Sequence, residues 1–332
     1  MAMDYLRDSI LATLAYYDIF DFPLTLLELH KYLINPGRVA KLTMEGVGEI
    51  KLADIQSELE YLAESGRVQT KNGFYFLLSG RALFGTRIIR EKIFAQKRSM
   101  LVNLCRYFAF VPYIRGIWVS GSMATANTTA DSDFDLMVVA RAGRLYTARM
   151  LLSLTASVLR SRRKRYEESA PDKFCFNHYL ADNALEIRHR SLYTAQAYIN
   201  LKPLINRENL SDKFFSANSW LYKFVIHGAA GDILTRGLKP SHLAELIAKT
   251  GERVLGGFLG DMLEHVFKKY QQKRIKENPM TYETGGRVVF SDNELEFHPR
   301  SFEAVVIQRY NHRLEMLGIL APAREADSGL LT

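Results

Sequence analysis

Gly121–Leu136, GSMATANTTADSDFDL, is the stretch that decides how this chain is read. Before it, Ile114–Val119 is a short apolar run expected to form a buried strand. Ser120-Gly121-Ser122 breaks that run, a loop of small polar residues follows, and Asp133–Val139 is expected to form a second strand. Strand side chains alternate, so Asp133 and Asp135 point the same way, roughly 7 Å apart, while Phe134, Leu136 and Val138 take the other face. Two neighbouring carboxylates repel unless a cation lies between them, and hard oxygen donors at this spacing suit Mg²⁺. Ahead of the pair, Gly121 permits close backbone approach and Ser122 can donate its hydroxyl to a phosphate at a helix N-terminus. A P-loop lysine pattern is absent, which excludes a Walker-type site.

This pattern resembles the nucleotidyltransferases of the DNA polymerase beta superfamily. Strand, Gly-Ser turn, a spacer of about ten residues and Asp-x-Asp follow in that family's order, with Gly121-Ser122 as the turn, Met123–Ser132 as the spacer and Asp133/Asp135 as the pair. The chain as a whole resembles long bacterial nucleotidyltransferase-domain proteins. The resemblance implies an α+β fold: a polymerase-beta-like core of mixed sheet with flanking helices, an N-terminal winged-helix-like domain and a helical C-terminal lobe. It also implies an Mg²⁺- or Mn²⁺-dependent enzyme that moves a nucleoside monophosphate from an NTP to a hydroxyl acceptor, releasing pyrophosphate. Asp133 and Asp135 would hold the metal, and Gly121 and Ser122 the phosphates. The superfamily usually adds a third carboxylate from a later strand. None lies in Lys173–Leu180, KFCFNHYL, whose middle is Asn177 and His178. Glu186, in a strand expected over Ala184–Ile187, is the nearest candidate base or third ligand, with Asp182 next. Glu186 reads equally as an ordinary edge-strand acid, and His178 and His189 read as structural.

Composition sets the bounds. The 332 residues, 48% hydrophobic and 24% charged, suit two or three soluble globular domains. The net charge of +8 (44 − 36) weakly favours anionic partners. Two cysteines, Cys105 and Cys175, argue against a disulfide scaffold or a zinc cluster. A start with no signal-peptide pattern and the lack of a long uncharged apolar window point to a cytoplasmic protein without membrane spans.

Residues 1–80 are expected to hold three helices and an Asn72-Gly73 hairpin, with Thr25 capping the second helix and Asn35-Pro36-Gly37 as a turn. That order resembles a winged helix. Its third helix carries Asp54, Glu58, Glu60 and Glu64 against Lys51, which argues against DNA binding by that face and leaves a packing or protein-contact role.

Residues 81–205 form the expected catalytic domain, opened by a linker helix over 81–110 whose bases, Arg87, Arg90, Lys92, Lys97 and Arg98, read as a solvated face. The run Arg160, Arg162, Arg163, Lys164, Arg165 is either a clamp on polyphosphate or RNA or, as the favoured reading, a solvated loop at a helix end. Residues 206–321 are expected to be mostly helical, including one long helix over 243–276 and a hairpin near Ser291–Asn293. Residues 322–332 are expected to be disordered. The alternative to an enzyme is a catalytically weak nucleotide-binding regulator or antitoxin-like module. Which NTP, and whether the acceptor is a small molecule, RNA or protein, stays open.

Overall fold

The computed structural model describes residues 4–39, 49–77, 82–164, 167, 169–228, 238 and 240–319. The N-terminal unit opens with α1 (Asp4–Asp18), buried along most of its length through Ile10, Leu11, Leu14 and Tyr17. Asp21, at φ 51°, and Pro23 end it and lead to β1 (Leu24–Thr25). Thr25 then caps α2 (Leu26–Tyr32) in a reciprocal capping box with Glu28. The turn expected at Asn35–Gly37 is instead the start of a short helix, α3 (Pro36–Val39), because the Asn35 side chain accepts the Gly37 N–H and Pro36 suits a first helical position. After α4 (Leu52–Glu64), β2 (Val68–Lys71) and β3 (Phe74–Leu77) form the expected hairpin. Asn72 and Gly73 both take positive φ, at 52° and 80°, as a type I′ turn requires. β1 adds to β3, giving a three-stranded sheet in the order β1-β3-β2.

A long helix, α5 (Leu83–Cys105), continued by a 3₁₀ turn at Arg106–Phe110, leads to the second sheet. Then follow β4 (Ile114–Val119), the single turn α6 (Gly121–Ala124), β5 (Phe134–Ala140), α7 (Leu145–Val158), β6 (Phe174–Ala181), α8 (Leu192–Ile199) and β7 (Lys202–Asn206). The chain closes with α9 (Leu210–Ala217), α10 (His242–Val254), α11 (Gly257–Lys276), β8 (Arg287–Phe290), β9 (Glu294–His298) and α12 (Glu303–Met316). The six strands pair in the order β7-β4-β5-β6-β9-β8, with β5 and β6 parallel and every other pair antiparallel.

Both faces of this sheet are covered, which is why β5 reads as a nearly unbroken apolar run. Phe134, Leu136 and Val138 join a core with Leu101 of α5 and Leu145, Ala148 and Leu152 of α7. Met137 and Val139 face the other way, into a core shared with Leu192 and Ala195 of α8, α1 and Tyr310 of α12.

Further expectations are corrected. Residues 184–187 form no strand. Leu201–Asn206, not foreseen, holds β7, where Pro203 is tolerated because β7 is an edge strand and its missing N–H breaks no inner ladder. The helix expected over 243–276 divides at Leu255–Gly257, where Gly257 takes φ +58°. The C-terminal segment is not a separate helical lobe: β9 pairs with β6, and α12 packs on α1 through Tyr310 against Tyr16 (5.8 Å between rings) and an Arg313–Asp18 ion pair. The fold is thus mixed α+β. The tail 322–332 lies outside the described residues. No described helix is long and apolar enough to cross a membrane.

Candidate metal and phosphate site

The site is built where β4 ends and β5 begins. The Ser120 N–H donates to the Asp135 carbonyl (3.0 Å), which holds the end of β4 to the start of β5. Gly121 takes φ +61°, and a Cβ placed on it would lie 2.5 Å from Asp135 Oδ2. Any side chain at 121 would therefore collide with the carboxylate. The spacer loop then folds back on the turn, with Asn127 N and Thr128 Oγ1 donating to the Ser122 carbonyl at 2.9 and 3.2 Å.

Helix α5 fixes the rest of the loop. Lys97 is buried and its Nζ donates to the carbonyls of Ala130 and Ser132, both at 2.7 Å, and pairs with Asp172 at 2.9 Å. Arg90 Nη1 donates to Asn127 Oδ1 (2.8 Å) and to the Phe20 carbonyl (2.7 Å), tying the loop to the N-terminal unit. Arg87 is buried and paired with Glu28 and Glu91. The expected solvated face of α5 is thus corrected for these three bases. They donate to loop carbonyls and carboxylates that few other donors reach.

The carboxylates meet groups from β6. In the parallel register Asp135 lies opposite Cys175, and a bulge after Phe176 inserts Asn177 before His178 pairs with Met137. Asn177 Nδ2 donates to Asp135 Oδ1 at 3.0 Å. Arg163 Nη1 donates to Asp133 Oδ2 at 2.6 Å, and its other nitrogens donate to the Glu167 carbonyl. Asp133, Asp135 and Cys175 each offer one ligand atom, all within 4.8 Å of one another. Burial, then the Asp133 charge, push the Asp135 carboxyl up to about 7 against the opposing pull of Arg163. Burial and the same two aspartates push the Cys175 thiol up as well. Such crowding of acids around one point is what an incoming cation relieves. The donors fit a divalent ion, since Mg²⁺ commonly takes one or two protein carboxylates and completes its shell with water and phosphate.

Other expected residues lie elsewhere. Glu186 is 58% exposed, pairs with Arg190 at 2.5 Å and is not among the groups that converge with the aspartates. Asp182 follows Ala181, whose partner Ala140 is five residues, about 17 Å, along β5 from Asp135. Its Oδ1 accepts the Ala142 N–H. His178 and His189 take structural partners, Tyr198 and Glu294 for the first and Glu303 for the second. Of the basic run, Arg162 bridges Phe174 beside β6, which brings Arg163 to Asp133 rather than to solvent; Arg165 lies outside the described residues. The sequence offers Arg163 only as part of a candidate polyphosphate or RNA clamp, and gives Cys175 and Lys97 no place in the site. Strand parity alone puts Cys175 and Asn177 on one face, but not opposite Asp135. No family model, curated protein or solved structure matches this chain.

Proposed function

We propose that this chain is a metal-dependent nucleotidyltransferase that moves a nucleoside monophosphate from an NTP to a hydroxyl acceptor. The observation that carries the reading is the convergence of Asp133, Asp135 and Cys175 beside the Gly121-Ser122 turn. Asp133 and Asp135 would hold the ion. A divalent ion bound there supplies charge neutralisation for the triphosphate and for the charge that builds on the α-phosphate. The acceptor oxygen bonds to the α-phosphorus as the bond to the bridging oxygen breaks, and pyrophosphate leaves with that electron pair. With Glu186 outside the converging group, the hydroxyl proton falls to Asp135 or to solvent. Backbone N–H groups at Gly121-Ser122 and the Ser122 hydroxyl would hold the outer phosphates. Because α6 is one turn long, these individual donors matter more than a helix dipole. Positioning and electrostatics carry the rate.

The test is a screen of the four ribonucleotides with Mg²⁺ or Mn²⁺, following labelled nucleotide into fractionated extract and pyrophosphate into solution. Transfer by the wild type that is lost in Asp135→Asn supports the reading, and full activity in that variant overturns it.

A second reading, a nucleotide-binding regulator with little turnover, is favoured by one feature. Beside Asp135, β6 offers a thiol and an amide and no third carboxylate. The order helix–strand–helix–helix–helix–hairpin in residues 4–77 suits a winged-helix-like unit, and its tie to the spacer loop through Arg90 and Asn127 would let that unit sense the loop. DNA is a poor partner for α4, whose exposed acids Glu60 and Glu64 would face phosphates. Nucleotide binding without pyrophosphate release would favour this reading.

A further inference from the structure

The geometry points to Cys175 as a metal ligand, making this a mixed oxygen–sulfur site that selects a thiophilic divalent ion such as Zn²⁺ or Co²⁺ over Mg²⁺. The inference rests on the metal-dependent reading above and adds the identity of the ion.

Three observations support it. First, the Cys175 sulfur and the oxygens of Asp133 and Asp135 lie within 4.8 Å of one another, so small side-chain rotations close them on an ion with bonds of about 2.0–2.3 Å. Second, Cys175 is held at this spot by the β5–β6 ladder, directly opposite Asp135, rather than by a mobile loop. Third, the charges balance. Two carboxylates and one thiolate carry three negative charges, and a divalent ion with the Arg163 guanidinium, bonded to Asp133, carries three positive. Ligation forms one metal–sulfur bond and releases the thiol proton to solvent. Thiolate donors favour zinc and its softer neighbours, whereas Mg²⁺ gains little from sulfur. Cys105 sits buried in the opposite core and cannot substitute.

The experiment titrates the metal-free full-length protein with Co²⁺ and follows the sulfur-to-cobalt charge-transfer absorption, with affinity measured in parallel by calorimetry. The wild type should develop the band, Zn²⁺ should abolish it by displacement, and excess Mg²⁺ should not. Cys175→Ser should lose the band and bind Co²⁺ on the order of 10–100-fold more weakly. Cys175→Asp should also lose it while gaining Mg²⁺ affinity. If Co²⁺ binds without the band, with an affinity that Asp133→Asn lowers and Cys175→Ser leaves unchanged, sulfur ligation is overturned and the carboxylate site stands. If none of these variants changes Co²⁺ binding, the metal-dependent reading fails and the inference falls with it.

Discussion

Gly121 and Asp135 approach so closely that a single added methyl on the glycine would lie 2.5 Å from the carboxylate oxygen Oδ2. Gly121→Ala therefore has two costs, a left-handed backbone for a residue with a Cβ and a displaced Asp135. We expect a loss of about 1–3 kcal/mol in urea denaturation and a severe loss of metal binding. In an Asp135→Ala background the same change should cost only the backbone part, a non-additivity that a double-mutant cycle reads directly.

Asp135 also predicts a pH dependence. Its carboxyl sits near 7 in the folded protein, because of burial and then Asp133, and an unfolded aspartate titrates near 3.9. The folded state therefore holds more protons between these values, and stability falls as pH rises from about 4 to about 7. The loss should be roughly 1–2 kcal/mol once partial exposure and the coupling to Asp133 are allowed for. With chelator present, Asp135→Asn should be more stable than the wild type at pH 8, and the gap should narrow towards pH 4. Adding a divalent ion at pH 8 should raise the wild-type Tm and leave that of the variant unchanged.

Lys97 is a buried ammonium whose three partners all lie around the spacer loop and the approach to β6. Lys97→Met keeps the stem but takes the charged donor from the Ala130 carbonyl, from the Ser132 carbonyl, which keeps the Asp172 N–H, and from the Asp172 carboxylate. A cost of about 2–4 kcal/mol is expected from the unpaired groups. Hydrogen exchange should quicken over residues 128–133 first, before the rest of β5.

Glu252 anchors α10 to the main sheet. It accepts both Arg115 Nη1 and Nη2, at 2.8 and 2.9 Å, and the Tyr113 N–H at 2.9 Å. Burial alone would raise its carboxyl, but Arg115 and the Tyr113 N–H outweigh burial and hold it below the usual value. Its stabilising contribution is present above the unfolded value near 4.3 and is lost as pH falls through the folded one. Glu252→Gln should cost about 1.5–3 kcal/mol at pH 7 and much less near pH 3, as thermal melts at the two pH values would show.

Glu186 provides the contrast. Exposed and paired only with a half-exposed Arg190, it should tolerate Glu186→Ala within about 0.5 kcal/mol and without effect on metal binding or nucleotide transfer. A large loss of transfer would return it to the site.

What was legible in the sequence is what short-range chemistry encodes. The Thr25–Glu28 capping box, the Asn72-Gly73 turn and the shared face of Asp133 and Asp135 each depend on residues no more than a few positions apart. Local dihedral preferences and strand parity settle such features before any distant segment arrives. The partners of Asp135 belong to another order of information. The parallel register and the bulge at Asn177 decide that Cys175 stands opposite the aspartate, packing of α5 brings Lys97 under the loop, and the chain's path beside Phe174 delivers Arg163. The attachment of β9 to β6, more than a hundred residues away, is likewise invisible in the hairpin's own residues. Each of these contacts pays its ordering entropy only once a common core exists, so the whole fold, and not any stretch of it, chooses them.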